Sequence, residues 1–125
     1  MRLLLDTQIV LWQLSGERSL PQSVLEVINS ADDLLFSVVS FAEIGVKVAI
    51  GKLEVPDDFP DRVAESGLRT LALSATHGLA VARLPMHHRD PFDRLLIAQA
   101  QADGLTIVSA DGQFAAYEVP MINAS

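Results

Sequence analysis

The chain contains no cysteine, so its chemistry must run on oxygen and imidazole ligands. Disulfides, thiolate-held metals and a cysteine nucleophile are excluded together, a pattern that fits a cytoplasmic protein. Four carboxylates then draw notice. Asp6 ends the run "RLLLD", Glu43 lies in "SFAEIGVK", Asp93 follows Asp90 in "DPFD", and Asp111 lies in "SADG". Each has a purely local role open to it. Ser40 and Glu43 have the spacing of a capping box. Asp90 and Asp93 bracket Pro91 as N-cap and third helical residue. Asp111-Gly112 is an ordinary turn pair, and Asp6 could cap a helix starting at Thr7. At Asp90 and Asp93 the local sequence leaves both readings open, a simple helix start or a cap beside a metal ligand. Taken as a group, the four are a different matter. The chain has only two lysines, Lys47 and Lys52, and the sequence reading offers no lysine to offset the acids. Converging carboxylates without a counter-ion repel one another, and a divalent cation relieves that repulsion. An all-oxygen set suits a hard ion, Mg²⁺ or Mn²⁺.

The elements that must position these groups follow from the apolar pattern. Runs at 2–5, 34–39, 71–74, 105–109 and 119–122 read as strands, and the middle ones lack polar alternation, as in strands covered on both faces. Helical patterns separate them at 7–16, 20–30, 40–51, 57–67, 75–84 and 91–103, several ending at glycine or before proline. Strands alternating with helices predict an α/β fold, a parallel sheet flanked by helices and built from βαβ units. Ligands in such sheets bind beyond the carboxyl ends of the strands. Asp6, Glu43 and Asp111 fall on that rim by topology, whereas Asp93 follows a long loop (84–90) that leaves its side of the sheet open.

The chain's 125 residues form one domain's worth, 1–125, without repeat or linker. Half are hydrophobic and the mean hydropathy is +0.31, an apolar balance that leads us to expect a homodimer. No run is long enough to span a bilayer, and the interrupted "MRLLLDTQIVLW" does not read as a signal peptide. Net charge is −7 with a pI near 4.7, which argues against a general nucleic-acid binder and for metal ions or a basic partner.

Four segments together, "LLLDT", "SVVSFAEIGVK", "HRDPFDRLLIAQA" and "TIVSADGQF", resemble the PIN-domain ribonucleases, specifically the VapC-like toxins of bacterial type II toxin–antitoxin pairs. The resemblance spans nearly the whole chain, and its third segment is the most specific. It implies a Mg²⁺- or Mn²⁺-dependent endoribonuclease in which Asp6, Glu43, Asp93 and Asp111 hold the metal. It also implies an RNA substrate cut by metal-activated water, and a cognate antitoxin that aims a basic group at the acids. On this view Asp90 is the cap and Asp93 the ligand, and Asp6 and Asp93 are inner ligands with Glu43 and Asp111 outside them. Gln8 after "DT", Ala42 before Glu43 and Ser109 in "SAD" depart from many relatives without removing a carboxylate.

Arg89 and Arg94 flank the site as candidate substrate contacts, with Lys47 and Lys52 as weaker ones. His87 and His88 read as surface or packing residues, Trp12 as a core or dimer contact, and Phe92 and Phe114 as core anchors. Two rivals fail on residues. A receiver-type phospho-acceptor needs paired acids after the first strand and a late lysine, and Thr7 follows Asp6 while no lysine follows Lys52. A haloacid-dehalogenase-type phosphatase needs an acid two after Asp6, where Gln8 stands. The remaining alternative is a non-catalytic PIN-like domain that binds only a partner protein or RNA.

Overall fold

The computed structural model describes residues 1–125. In chain order the elements are β1 (Arg2–Leu5), α1 (Thr7–Ser15), α2 (Gln22–Ser30), β2 (Asp33–Ser37), α3 (Val38–Ala49) and α4 (Phe59–Glu65). Then come β3 (Arg69–Leu71), α5 (Ala75–Ala80), α6 (Pro91–Asp103), β4 (Thr106–Ser109) and β5 (Met121–Asn123), with 3-10 turns at Val81–Arg83 and Gly112–Ala116. The five strands form one sheet in the order β3-β2-β1-β4-β5, parallel throughout. Strand order reverses at β1, whose neighbours are β2 on one side and β4 on the other. The crevice at that reversal is where such sheets take their ligands.

Both faces of the sheet are covered, which is why its strands read as unbroken apolar runs. Leu3 and Leu5 pack into one core with Ile9, Val10, Val24, Ile28, Phe36 and Ile44. Leu4, one residue out of phase, joins the other with Leu96, Ile97, Ile107 and Phe114, as the two-residue period of a strand demands. No helix is long and apolar enough to cross a membrane.

Most boundaries shift by a few residues from the sequence reading, and two of the shifts have a capping cause. The run 34–39 does not stay extended, because Ser37 ends β2 and caps α3, accepting from the Val39 amide at 3.0 Å. The helix therefore starts at Val38 rather than Ser40, and the expected Ser40–Glu43 capping box does not form. The third strand occupies 69–71 rather than 71–74. Ser74 is drawn instead into a capping box with His77, each backbone amide donating to the other side chain at 3.1 Å.

Candidate metal centre

At the carboxyl edge of the sheet lies a cleft of about 410 Å³ whose lining includes Asp6, Glu43, Asp90, Asp93 and Asp111, with Lys47 and Arg18 as its cations. The four acids singled out above thus converge from four separate elements. Asp93 joins them because α6, the helix leading into β4, begins on the same rim where β1 and β4 end.

Asp6 is buried and caps α1, with Oδ1 accepting from the Ile9 amide at 3.0 Å. Its Oδ2 accepts from the Ser109 hydroxyl, and Ser109 Oγ in turn accepts from the Asp111 amide at 2.9 Å. One hydroxyl therefore ties the acid after β1 to the acid after β4. Burial pushes the Asp6 carboxyl above its ordinary value; the bonds from Ser109 and Ile9 oppose that shift, and Glu43 adds to it.

Glu43 is buried in the second turn of α3. Its Oε1 accepts from the Thr7 hydroxyl at 2.6 Å, and Oε2 accepts from Lys47 Nζ at 2.8 Å. The Ser40 and Thr7 hydroxyls lie 2.8 Å apart, so with Thr7 donating to the carboxylate, Ser40 donates to Thr7. The serine expected to cap the helix instead supports the acid from behind. Lys47 corrects the expectation that no lysine offsets the acids. Its ammonium is held above its usual pKa first by the Glu43 bond, with Asp90 and Asp93 contributing. Spacing i,i+4 on one helix was the available signal.

Asp90 is the cap anticipated for α6, with Oδ1 accepting from the Phe92 and Asp93 amides at 2.9 and 3.1 Å. Asp93 points into the cleft, and its Oδ2 lies 2.7 Å from His88 Nε2. Burial raises its carboxyl to about 6; the His88 bond opposes the rise, while Asp90 and Glu43 reinforce it. Asp111 caps the 3-10 turn after β4, accepting from the Gln113 amide at 2.9 Å.

The two histidines part company. His87 is exposed, its ring edge-on to Tyr117, as the surface reading expects. His88 does not fit that reading, since its side chain is only 14% exposed and lines the cleft. One ring nitrogen of His88 and one oxygen each from Asp93 and Asp111 lie within 4.8 Å of one another. Sequence reasoning passed over His88 because nothing local tells which of two adjacent loop histidines turns inward.

Arg94 corrects another expectation. It is 6% exposed and does not line the cleft. Its guanidinium donates to the carbonyls of Pro85, Val81, Leu84 and His88 and to the Tyr117 hydroxyl, at 2.9 to 3.4 Å. It thus gathers the loop ahead of α6 and is turned away from the cleft. Arg89 is exposed and stands outside the cleft lining. In its place the cleft presents Arg18, its guanidinium carbon 4.3 Å from the centroid of the Trp12 ring. Trp12 is half-buried against the core but also walls the cleft, so the core-contact expectation describes only one of its faces. Phe114 is buried, and Phe92 packs against the same core.

Five carboxylates against two cations, one of them already bonded to Glu43, make a cleft that accepts positive charge. Its donors are carboxylate oxygens and one imidazole, which fit a divalent cation. The molecule is therefore a parallel α/β domain with a cation-receptive cleft at its strand-order reversal. The chain belongs to the PIN-domain family, whose model matches residues 3–120.

Among solved structures, the fold is similar to a chain of VapBC2 from Rickettsia felis, determined bound to a DNA fragment from their promoter. That likeness has a TM-score of 0.77 at 18% identity and covers 100% of both chains. A chain of FitAcB from Neisseria gonorrhoeae gives a TM-score of 0.67 at 22% identity, covering 98% of this chain and 97% of that one. DNA-bound VapBC from Salmonella typhimurium gives 0.69 at 14% identity, covering 100% and 99%. At such identities the likeness establishes the shared fold. No curated protein gives a match.

Proposed function

We propose that this PIN domain is a divalent-metal-dependent endoribonuclease serving as the toxin of a type II toxin–antitoxin pair. The observation that carries this reading is the convergence of Asp6, Glu43, Asp93 and Asp111 in one cleft, in a chain that also folds like members of VapBC and FitAB assemblies. A Mg²⁺ or Mn²⁺ ion, when bound, supplies Lewis acidity toward a phosphate oxygen and lowers the pKa of a water. Asp93 and Asp111 have carboxylate oxygens facing one another for such an ion. Asp6 and Glu43 line the same cleft, and each of their oxygens accepts one hydrogen bond that orients the carboxylate and leaves a second lone pair for an ion.

The substrate approach runs over the Trp12–Arg18 wall. Arg18 makes no salt bridge and lies over the Trp12 ring, so its guanidinium is available to a phosphate at the cleft wall. Arg89 is a second phosphate contact outside the cleft. The surplus of acids equally suits an antitoxin that inserts a basic side chain. Exposed Val46, Val48 and Ile50 on and just after α3 support a homodimer, to be read from molar mass in solution.

The test is cleavage of a panel of structured RNAs by the purified chain with Mg²⁺ or Mn²⁺, and its loss with EDTA. Asp93→Asn should lower the rate by at least about a hundredfold while the protein stays folded; wild-type-level cleavage by that variant overturns the proposal. Trp12 is the sole tryptophan, so RNA entering the cleft of Asp93→Asn protein should change its emission. Arg18→Gln should weaken that titration about tenfold, with a salt slope shallower by about one.

A further inference from the structure

We propose that His88 is a direct metal ligand, so that the ion rests on a mixed nitrogen–oxygen set of His88, Asp93 and Asp111 and the cleft prefers Mn²⁺ to Mg²⁺. The inference rests on the proposed function above and goes beyond it, since that reading gives the ion carboxylate ligands alone.

The geometry begins with the loop. His88 is held through both of its backbone polar groups: its amide donates to the Tyr117 hydroxyl at 2.9 Å, and its carbonyl accepts from that hydroxyl and from Arg94 at 3.3 and 3.4 Å. Arg94 and Tyr117 are themselves buried. The backbone is therefore fixed from the core side, and the imidazole is delivered into the cleft while the neighbouring His87 ring faces Tyr117. A residue whose only task was to fill surface space would not need both backbone groups clamped by buried polar side chains.

The donor atoms then meet a distance criterion. Two ligands on opposite sides of an ion with bonds of about 2.1 Å are about 4.2 Å apart, and adjacent ones about 3 Å apart. His88 Nε2 and Asp93 Oδ2 are 2.7 Å apart, the spacing of adjacent ligands. The full triad fits within 4.8 Å, and a shift of about half an ångström closes it around one centre. Nε2 is the atom that faces Asp93, and a neutral imidazole can leave that nitrogen bare for a cation. Without an ion, the same nitrogen bonds Asp93.

The consequence is selectivity. Mg²⁺ favours oxygen donors in near-ideal octahedral geometry, whereas first-row transition ions accept imidazole readily. A single nitrogen replacing an oxygen biases the cleft away from Mg²⁺. Arg94 and Tyr117 become positioning residues for this ligand, acting through the loop they clamp.

The experiment uses metal-free full-length protein, titrated with Mn²⁺ by EPR and with Mg²⁺ by calorimetry, for wild type, His88→Gln and His87→Gln. Mn²⁺ affinity should fall at least about tenfold in His88→Gln, while Mg²⁺ affinity changes by less than about threefold. Pulsed EPR should show nitrogen coupling to bound Mn²⁺ in wild type and His87→Gln and none in His88→Gln. Glutamine can still hydrogen-bond Asp93, so a merely orienting His88 predicts a wild-type Mn²⁺-to-Mg²⁺ preference in the variant. That result, or stoichiometric Mn²⁺ without nitrogen coupling, overturns the inference. RNA cleavage is followed on the same preparations. Cleavage without nitrogen coupling removes the His88 ligand and spares the nuclease; nitrogen-coupled Mn²⁺ without cleavage does the reverse.

Discussion

Replacing Asp93 by Asn should make the ion-free protein more stable while destroying its metal response. The Asp93 carboxyl is pushed from 3.8 to about 6, chiefly by burial. At pH 7.5 the group is ionised both folded and unfolded, so folding carries a charge it disfavours by about two pKa units, or about 3 kcal/mol. The side chain is 18% exposed, and solvent screening reduces the expected figure to about 2 kcal/mol. The sign follows from proton linkage. A raised folded pKa means the native state binds the proton more tightly, so Asp93's contribution is fully favourable below 3.8 and is lost as pH rises through about 6. The neutral asparagine has no such dependence. In EDTA at pH 7.5, Asp93→Asn should therefore melt about 8 °C above wild type, taking about 4 °C per kcal/mol for a chain this size. Near pH 4 the two should nearly coincide. With saturating Mn²⁺ the order should invert, because wild type gains binding free energy and the variant does not. Circular-dichroism melts at the two pH values, with and without Mn²⁺, supply all the comparisons. If the ion-free variant at pH 7.5 is no more stable than wild type, the burial argument for Asp93 is wrong.

Arg94→Ala should cost about 3–5 kcal/mol in urea unfolding, because it strands a cluster of carbonyls and the Tyr117 hydroxyl that the guanidinium satisfies; a loss under about 1 kcal/mol would contradict the clamp. Arg94→Lys should recover only part of it, since one ammonium cannot reach so many acceptors. Ser109→Ala removes the hydroxyl shared by Asp6 and the Asp111 amide. It should lower stability by about 1–2 kcal/mol and Mn²⁺ affinity about tenfold, both measurable on the same protein. An unchanged Mn²⁺ affinity would mean that the two acids do not depend on their common link.

What could be read from the chain alone was whatever depends on neighbours in sequence. The unbroken apolar runs at β1 and β4 announced strands covered on both faces, and the helices between them required parallel pairing. Asp6 and Asp111 were placed by ending those strands, and Asp90 by standing one residue before a helical proline. The pairing of Lys47 with Glu43 was legible too, as i,i+4 on a single helix, though the acids were first read as lacking any such partner. Only the folded molecule decided the rest. The start of α3 moved to Val38 because Ser37 donates to Gln99 across 62 residues at 2.6 Å while capping the helix, which freed Ser40 to support Thr7. Arg94 turned inward because its acceptors lie on Val81 through His88 and on Tyr117, and no local pattern announces a guanidinium whose partners come from a loop and a distant turn. His88 faces the acids, and His87 does not, for that same reason. Periodicity and capping are properties of adjacent residues, whereas the direction of a loop side chain is set by hydrogen bonds that exist only once distant segments have met.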